Sequence, residues 1–487
     1  MSHIHHQYSS CLLTDLYQLT MAYGYWKSNI SEREAVFHLH FRRPPFNGGI
    51  AVAAGLENVI EIMKHYRFCE DDLSFLKTIR NEEQKRMFCD DFLKYLKDLK
   101  FSWDMDAVEE GEIVFPYEPL IRVQGTLLQC QLLESLLLNV INFQTLIATK
   151  AARLYLAAEG APIFEFGFRR AQGIDGAVSA SRAAFIGGCV GTSNVMAGKL
   201  FGIPIKGTQA HSWILAFDDE VEAFKAFAKT QPENCLFLVD TYNTIKGIEH
   251  AISVGHEISK KGKKFLGIRL DSGDLAYLSI QARKMLDDAG FKDAIVLASN
   301  ELDEVIIRDL IQQGAKISVW GVGTNLVTSK GQSALDGVYK ISALKSETGE
   351  WKYRLKISEQ MRKTTNPGIM QVKRFISNER YLGDAIYNIL NEPKSNWAII
   401  DPLDPTKKKV FDNTLLSKDL LKPIFRKGKC IYQSPPIEEM RKKMISELPY
   451  FHSGLKRFMF PHQYPVGLEE GLYKEKVNLI QKIRDSK

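Results

Sequence analysis

The middle of the chain alternates short, continuous apolar runs with amphipathic stretches, and nearly every run ends abruptly on a polar or glycine-rich tip. Runs at 163–166, 184–188, 203–206, 235–239, 265–270, 294–298 and 317–320 predict strands, with 337–341 as a closing strand. Unbroken apolar runs of this length suit strands covered on both faces. Between them, 220–230, 244–261, 275–289 and 303–313 carry apolar residues at helical spacing, which predicts helices. Seven or eight such units favour a closed parallel α/β barrel over an open doubly wound sheet. In a closed barrel the carboxyl ends of all strands share one mouth, so tips far apart in sequence meet around one ligand.

The flanks read differently. Residues 1–126 form an α+β unit of their own. It has a helix start at Thr14-Asp15, an alternating strand across 35–41, turn formers at 42–49, helices across 55–64 and 71–97, and strands across 109–125 broken by Pro116 and Pro119. The barrel takes 127–350. Residues 351–487 read as basic and irregular, with Lys407-Lys408-Lys409 as a solvated run.

Composition narrows the class. A chain of 487 residues with 45% hydrophobic and 25% charged residues is globular, and its length predicts more than one domain. The net charge of +6 is mild and fits either an ordinary solvated surface or a preference for acidic small molecules. Basic runs without interleaved aromatics argue against nucleic-acid binding. The seven cysteines stand singly, without a disulfide framework or zinc-ribbon spacing, which points to a reducing, cytoplasmic setting. No basic-then-apolar leader is present, and the most apolar long stretch, 127–158, is interrupted by Gln129, Gln131, Glu134, Lys150 and Arg153. Neither a secretory signal nor a membrane span is expected.

The tips carry the candidate chemistry. Gly321-Val322-Gly323-Thr324 follows a strand, where glycines let backbone N–H groups approach an anion, or simply make a turn. Arg269-Leu270-Asp271-Ser272-Gly273-Asp274 places one guanidinium and two carboxylates at a strand end. Ser272 or Asp274 can cap the next helix, but capping explains neither Arg269 nor Asp271. An arginine fork suits phosphate, and nearby aspartates suit Mg²⁺, so this tip describes a site for a magnesium-bound polyphosphate. Phe166 with Arg169 and Arg170 offers an aromatic face beside guanidinium groups, suited to a flat anion, or a core ring with surface charges. His211 closes another tip, either as a structural residue or in proton or phosphoryl transfer. His38 and His40 share one strand face, but no further metal ligands accompany them.

Five ordered segments carry a family resemblance: Asp15-Leu16-Tyr17-Gln18-Leu19-Thr20-Met21, Glu165-Phe166-Gly167-Phe168-Arg169-Arg170-Ala171, Gly207-Thr208-Gln209-Ala210-His211-Ser212, Gly267 through Asp274, and Gly321-Val322-Gly323-Thr324-Asn325-Leu326. The chain resembles the nicotinate phosphoribosyltransferases from about residue 10 to about residue 440. The resemblance implies an irregular α/β barrel of the type II phosphoribosyltransferase kind, with a second α+β domain assembled from both chain ends. It implies formation of nicotinate mononucleotide and pyrophosphate from nicotinate and 5-phosphoribosyl 1-pyrophosphate (PRPP), for NAD biosynthesis. It further implies coupling to ATP hydrolysis through a transient phosphohistidine at His211.

By the same resemblance, Tyr17 and Phe166 sandwich the pyridine ring, with Tyr17 completing the neighbouring site of a homodimer. Arg169 and Arg269 hold ligand anions. Asp240 and Asp271 lie near the ribose and a Mg²⁺-pyrophosphate, and Ser299 and Asn300 near the ribosyl phosphate. Gly321, Gly323 and Thr324 cradle the 5-phosphate. Ser193 stands where related nicotinamide enzymes carry an aspartate, which would repel a ligand carboxylate. Competing readings are a nicotinamide or quinolinate phosphoribosyltransferase, a barrel aldolase using Lys206 as a Schiff base, another phosphate-binding barrel enzyme, and a non-catalytic nucleotide-binding protein.

Overall fold

Six short strands build the sheet that positions the site: β1 (Ile163–Glu165), β2 (Gly191–Thr192), β3 (Cys235–Leu238), β4 (Phe265–Leu270), β5 (Ile295–Ala298) and β6 (Val319–Val322). The computed structural model describes residues 10–378 and 380–486. The histidines at positions 3, 5 and 6 lie outside the described residues. The chain divides into two compact units, one spanning 147–333 and the other built from 1–146 and 334–487.

In the 147–333 unit the strands pair in parallel in the order β2-β1-β6-β5-β4-β3. Beyond β2 the chain around Ile205 adds a single parallel bridge to Thr192. Pro204 has no N–H, so it serves this edge only as an acceptor, taking the N–H of Thr192 at 3.0 Å. Side chains then span to β3: Gln209 Nε2 donates to Leu236 O at 3.4 Å, and Asn234 Nδ2 donates to Gly207 O at 3.2 Å. The sheet therefore curls into an irregular barrel whose two edges meet through amide side chains. Leu236, Leu297 and Val319 fill one core cluster with Phe164, Phe166, Leu266 and Ile295 against it.

Two predicted strands are corrected. Residues 184–188 are no strand, because 184–186 complete the helix Gly173–Ile186 and the chain then turns; the strand is the dipeptide Gly191–Thr192. That helix is buried from Ala177 to Ile186 except at Ser179. A helix covered on most sides has no amphipathic stripe to separate it from a buried strand. Residues 337–341 do not close the barrel. They begin the strand Gly337–Lys345, which pairs antiparallel with Glu34–Phe41 in the other unit. The predicted strand at 203–206 reduces to the bridge at Ile205. The four predicted helices are present as Glu220–Thr230, Thr244–Lys260, Leu275–Asp288 and Glu304–Gln312.

The other unit holds a seven-stranded antiparallel sheet that includes Glu34–Phe41, Ile121–Thr126, Asp104–Val108 and Leu421–Arg426. It also holds a six-stranded mixed sheet around Met370–Ser377 and Arg380–Asn388. The stretch read as irregular beyond residue 351 thus holds regular elements: strands such as Met370–Ser377 and Arg380–Asn388, and the helices Ile437–Glu447 and Glu470–Asp485. Its pattern is masked because charges enter its core: Arg374 is fully buried, pairing with Asp384 at 2.6 Å and Glu112 at 2.7 Å. His38 Nε2 accepts the N–H of Met370 at 3.1 Å, and its Nδ1 lies 2.9 Å from Ser342 Oγ. Burial pushes His40 down to about 3, so both histidines belong to the neutral interior. Among the described residues no helix is long and apolar enough to cross a membrane.

Candidate active site

β1 ends on Glu165, a fully buried carboxylate that organises the turn after it. Its oxygens accept hydrogen bonds from Ser181 Oγ at 2.7 Å, Thr192 Oγ1 at 2.6 Å and the backbone N–H of Gly167. A buried carboxylate requires such donors. Here they come from its own turn, from the helix Gly173–Ile186 and from the end of β2. Asn194 continues the network, donating to Ser181 Oγ at 3.1 Å and capping the helix Val195–Phe201 through the N–H of Ala197. The tips bearing Phe166 and Ser193 are thereby locked to each other.

Phe166 is anchored to β6 by its N–H, which donates to Val322 O at 2.8 Å. Its ring lies nearly parallel to that of Phe164 with centroids 6.1 Å apart. Beside it opens a cavity of about 660 Å³, lined by Phe166, Arg169, Ser193, Met196, Thr208 and Arg269 among others. An aromatic wall, two hydroxyls and two guanidinium groups from four separate tips therefore line one space. The segment Phe168–Arg170 is a short 3₁₀ turn that leaves both arginines exposed.

Arg269 joins this cavity to a polar floor. Its Nε donates to Ser299 Oγ at 2.9 Å, its Nη1 to Thr208 Oγ1 at 3.1 Å and Gln209 O at 3.3 Å, and its Nη2 to Asp271 Oδ1 at 2.7 Å. Four of its five N–H bonds are engaged by the protein, so it is a rigid, oriented cation with one donor to spare. Ser299 donates to Asp271 Oδ1 as well. Burial tends to raise the Asp271 carboxyl, but the charge of Arg269 and the hydrogen bonds from Ser299 and Arg269 hold it below the usual carboxylate range.

His211 opens the short helix His211–Ile214. Its Nδ1 lies 3.1 Å from Thr241 Oγ1, and its Nε2 lies 3.7 Å from Asp271 Oδ2 and 4.0 Å from Asp240 Oδ1. Asp240 is fully buried at its side chain. One oxygen accepts from Asp271 N at 2.8 Å and Ser272 Oγ at 2.6 Å, while Oδ1, on the His211 side, has no hydrogen-bond partner among the described residues. Two further tips, those of Asp240-Thr241 and Asp271, thus converge on the His211 imidazole. No cluster of three or more metal-ligating side chains occurs among the described residues. Asp240 and Asp271 are the hard oxygen donors available here, which suits an Mg²⁺ that keeps several waters and takes the rest from a phosphorylated ligand.

The remaining predicted residues fall on the same rim or in the other unit. Asn300 follows Ser299 with φ of +99°, and Glu301 follows with +24°, a strained turn that presents Asn300 outward. Asn325 Nδ2 donates to Glu301 O at 2.6 Å and Leu302 O at 3.2 Å, tying this turn to the tip after β6. Gly321 lies inside β6, whereas Gly323 precedes the short helix Thr324–Val327. Tyr17 lies in the other unit, half exposed on the helix Leu16–Lys27. The four helix N-caps Asp219, Asn243, Asp274 and Asp303 each accept a backbone N–H, so the capping reading of Asp274 is the one the structure supports. Thr208, Thr241 and Glu165 were not singled out for roles from sequence. Each stands in or beside a quoted tip, but only the fold reveals what it touches.

The Nicotinate phosphoribosyltransferase (NAPRTase) family model matches residues 162–375. The models of the N-terminal and C-terminal domains of the same family match 12–142 and 369–476. The chain is 44% identical over 481 residues to a nicotinate phosphoribosyltransferase of Bacillus subtilis, covering 98% of this chain and 96% of the relative. A human nicotinate phosphoribosyltransferase is 30% identical over 522 residues, covering 95% of each chain. Among solved structures, human nicotinic acid phosphoribosyltransferase superposes with a TM-score of 0.83 at 28% identity, covering 96% of this chain and 99% of that one. A nicotinate-nucleotide pyrophosphorylase from Pyrococcus furiosus shares the fold, with a TM-score of 0.68 at 22% identity over 91% of this chain and 96% of that one.

Proposed function

The chain belongs to the nicotinate phosphoribosyltransferase family, and from that membership we propose that it converts nicotinate and PRPP to nicotinate mononucleotide and pyrophosphate, in NAD salvage. The observation that carries this reading is the double engagement of Arg269. It lines the cavity walled by Phe166, and through Asp271 it reaches the floor where His211 stands. A flat acid and a sugar pyrophosphate need such adjoining compartments.

The reaction asks for alignment more than for proton transfer. The pyridine nitrogen attacks the ribosyl C1 with its own lone pair, the bond from C1 to the pyrophosphate oxygen breaks, and the electron pair leaves with pyrophosphate. No base is required. Phe166 would orient the ring, Arg169 and the spare N–H of Arg269 would face ligand anions, and Asp271 would lie beside the electron-poor ribosyl centre. Gly323, Thr324 and the Asn300 turn would border the ribosyl 5-phosphate. Mg²⁺, held through Asp240 and Asp271, would supply charge neutralisation to the pyrophosphate.

The reading extends to ATP. His211 would receive the γ-phosphoryl group on Nε2, a P–N bond forming as the bond to the departing ADP oxygen breaks, with Thr241 holding Nδ1. A second copy of the chain would complete the site through Tyr17, and the expected setting is the cytoplasm. The deciding experiment incubates the purified protein with nicotinate, PRPP and Mg²⁺, with and without ATP, and assays the mononucleotide by chromatography. Absence of product under both conditions would overturn the assignment.

A further inference from the structure

Three cations line the cavity beside Phe166, namely Arg169, Lys199 and Arg269, and no carboxylate does. Their situations differ. Arg269 is bound to Asp271, Ser299, Thr208 and Gln209. Arg169 and Lys199 have no hydrogen-bond or ion-pair partner among the described residues. An anion entering the cavity therefore meets two uncommitted positive charges, of which only Arg169 has a role implied by the family resemblance.

Lys199 is delivered to the cavity by a helix that is fixed at both its start and its back. The helix Val195–Phe201 is capped by Asn194, which the Glu165 network holds. Its back is seated on the strand-like segment before Lys206: a Cβ at Gly198 would lie 2.3 Å from Ile205 Cγ1. That close approach sets the rotation of the helix. Val195, Met196 and Lys199 consequently line the cavity together, Lys199 lying at i+4 from Val195 and i+3 from Met196. Lys199 lines the cavity together with Ser193, Val195 and Met196, with no counter-ion among the described residues. Val195, Met196 and Lys199 are all exposed in the open cavity, so the attraction gains strength only as an entering ring displaces water from this wall.

Building on the proposed reaction, we propose that Lys199 is a specificity-determining residue that selects the negatively charged ring substrate, pairing with the carboxylate of nicotinate. Ser193 permits the acid by lacking a charge that would repel it. Lys199 attracts it, and the neutral amide gains no corresponding interaction. Selectivity then rests on one missing repulsion, at the residue before the cap of the helix Val195–Phe201, and one added attraction, from the last turn of that helix.

The test uses the full-length protein and the variants Lys199→Met and Lys199→Arg. Nicotinate binding is measured by calorimetry, nicotinamide is measured as a competitor, and KM is determined for nicotinate and PRPP separately. Lys199→Met should weaken nicotinate about tenfold, as expected for a lost charge-assisted hydrogen bond. It should leave nicotinamide competition and the KM for PRPP unchanged and flatten the salt dependence of nicotinate binding. Lys199→Arg should restore most of the affinity. The proposal is overturned if PRPP alone weakens, which would make Lys199 a phosphate contact, if acid and amide weaken equally, which would make it packing, or if nothing changes. Product formation by the unaltered protein tests the reaction itself, so the two readings fail separately.

Discussion

The ring of Phe166 occupies the space where a side chain at position 321 would stand: a Cβ on Gly321 would lie 2.7 Å from both Cδ2 and Cε2 of that ring. Glycine in the middle of β6 is therefore a shape requirement of the aromatic wall. Gly321→Ala should push the ring into the cavity, at a cost of about 1–3 kcal/mol typical of overpacking. The KM for nicotinate should rise while the KM for PRPP changes little. Unchanged nicotinate kinetics in a folded Gly321→Ala protein would show that the ring has room to yield.

Glu165→Gln should loosen the same wall by another route. Three donors converge on this buried carboxylate, and an amide replaces one of its acceptor faces with a further donor. The unmet donors should cost roughly 1–3 kcal/mol. Thermal denaturation should register a lower Tm, and nicotinate affinity should fall with it. An unaltered Tm would mean that water replaces the lost acceptor.

His211→Ala should remove ATP stimulation and the acid-labile phosphoprotein detected with γ-labelled ATP. Ring binding should be spared, because His211 is not among the residues lining the cavity beside Phe166. Retention of labelled phosphate in the alanine variant would place the phosphorylation elsewhere.

Ser193→Asp should reverse the electrostatic preference of the cavity wall. An added carboxylate beside the ring disfavours the acid and leaves the amide neutral, so the nicotinate to nicotinamide preference should drop by about tenfold or more. The check is the ratio of kcat/KM for the two substrates. An unchanged ratio would remove Ser193 from any account of selectivity.

Asp271→Asn gives a pH signature. The Asp271 carboxyl is lowered in the folded protein, burial being outweighed by Arg269 and the Ser299 hydroxyl. A depressed carboxyl stabilises the fold above its unfolded pKa of about 3.9 and loses that contribution as pH falls through the lower folded value. The variant should therefore be less stable at pH 7, with the gap to the unaltered protein closing below about pH 4. A gap that persists unchanged into acid would mean that the carboxylate charge is not what Arg269 needs.

The four barrel helices and most of the parallel strands were legible because each carries its own periodicity, and the tips were legible because polarity changes sharply where a strand ends. Where local pattern and environment parted company, the reading failed. The buried helix Gly173–Ile186 has no polar face along most of its length, and Arg374 places a charge where a strand core should look apolar. The partner of the strand at Gly337–Lys345 was hidden for a different reason, since an apolar run does not state which sheet it joins.

Sequence by itself determined which residue types stand at the tips, and through their order the family. Tertiary structure decided how they are used. It commits Arg269 to four protein acceptors, turns Gly321 into space for Phe166, and, among the described residues, leaves Asp240 Oδ1 without a donor beside His211 and Lys199 at the cavity without a counter-ion. Those outcomes depend on distances between segments far apart in sequence, from Arg269 and Ser299 to Phe166 and Gly321, which are set by how the parallel strands register and curl. Chemical identity is local to a residue; whether its charge is spent within the protein or left for a ligand depends on its neighbours in space.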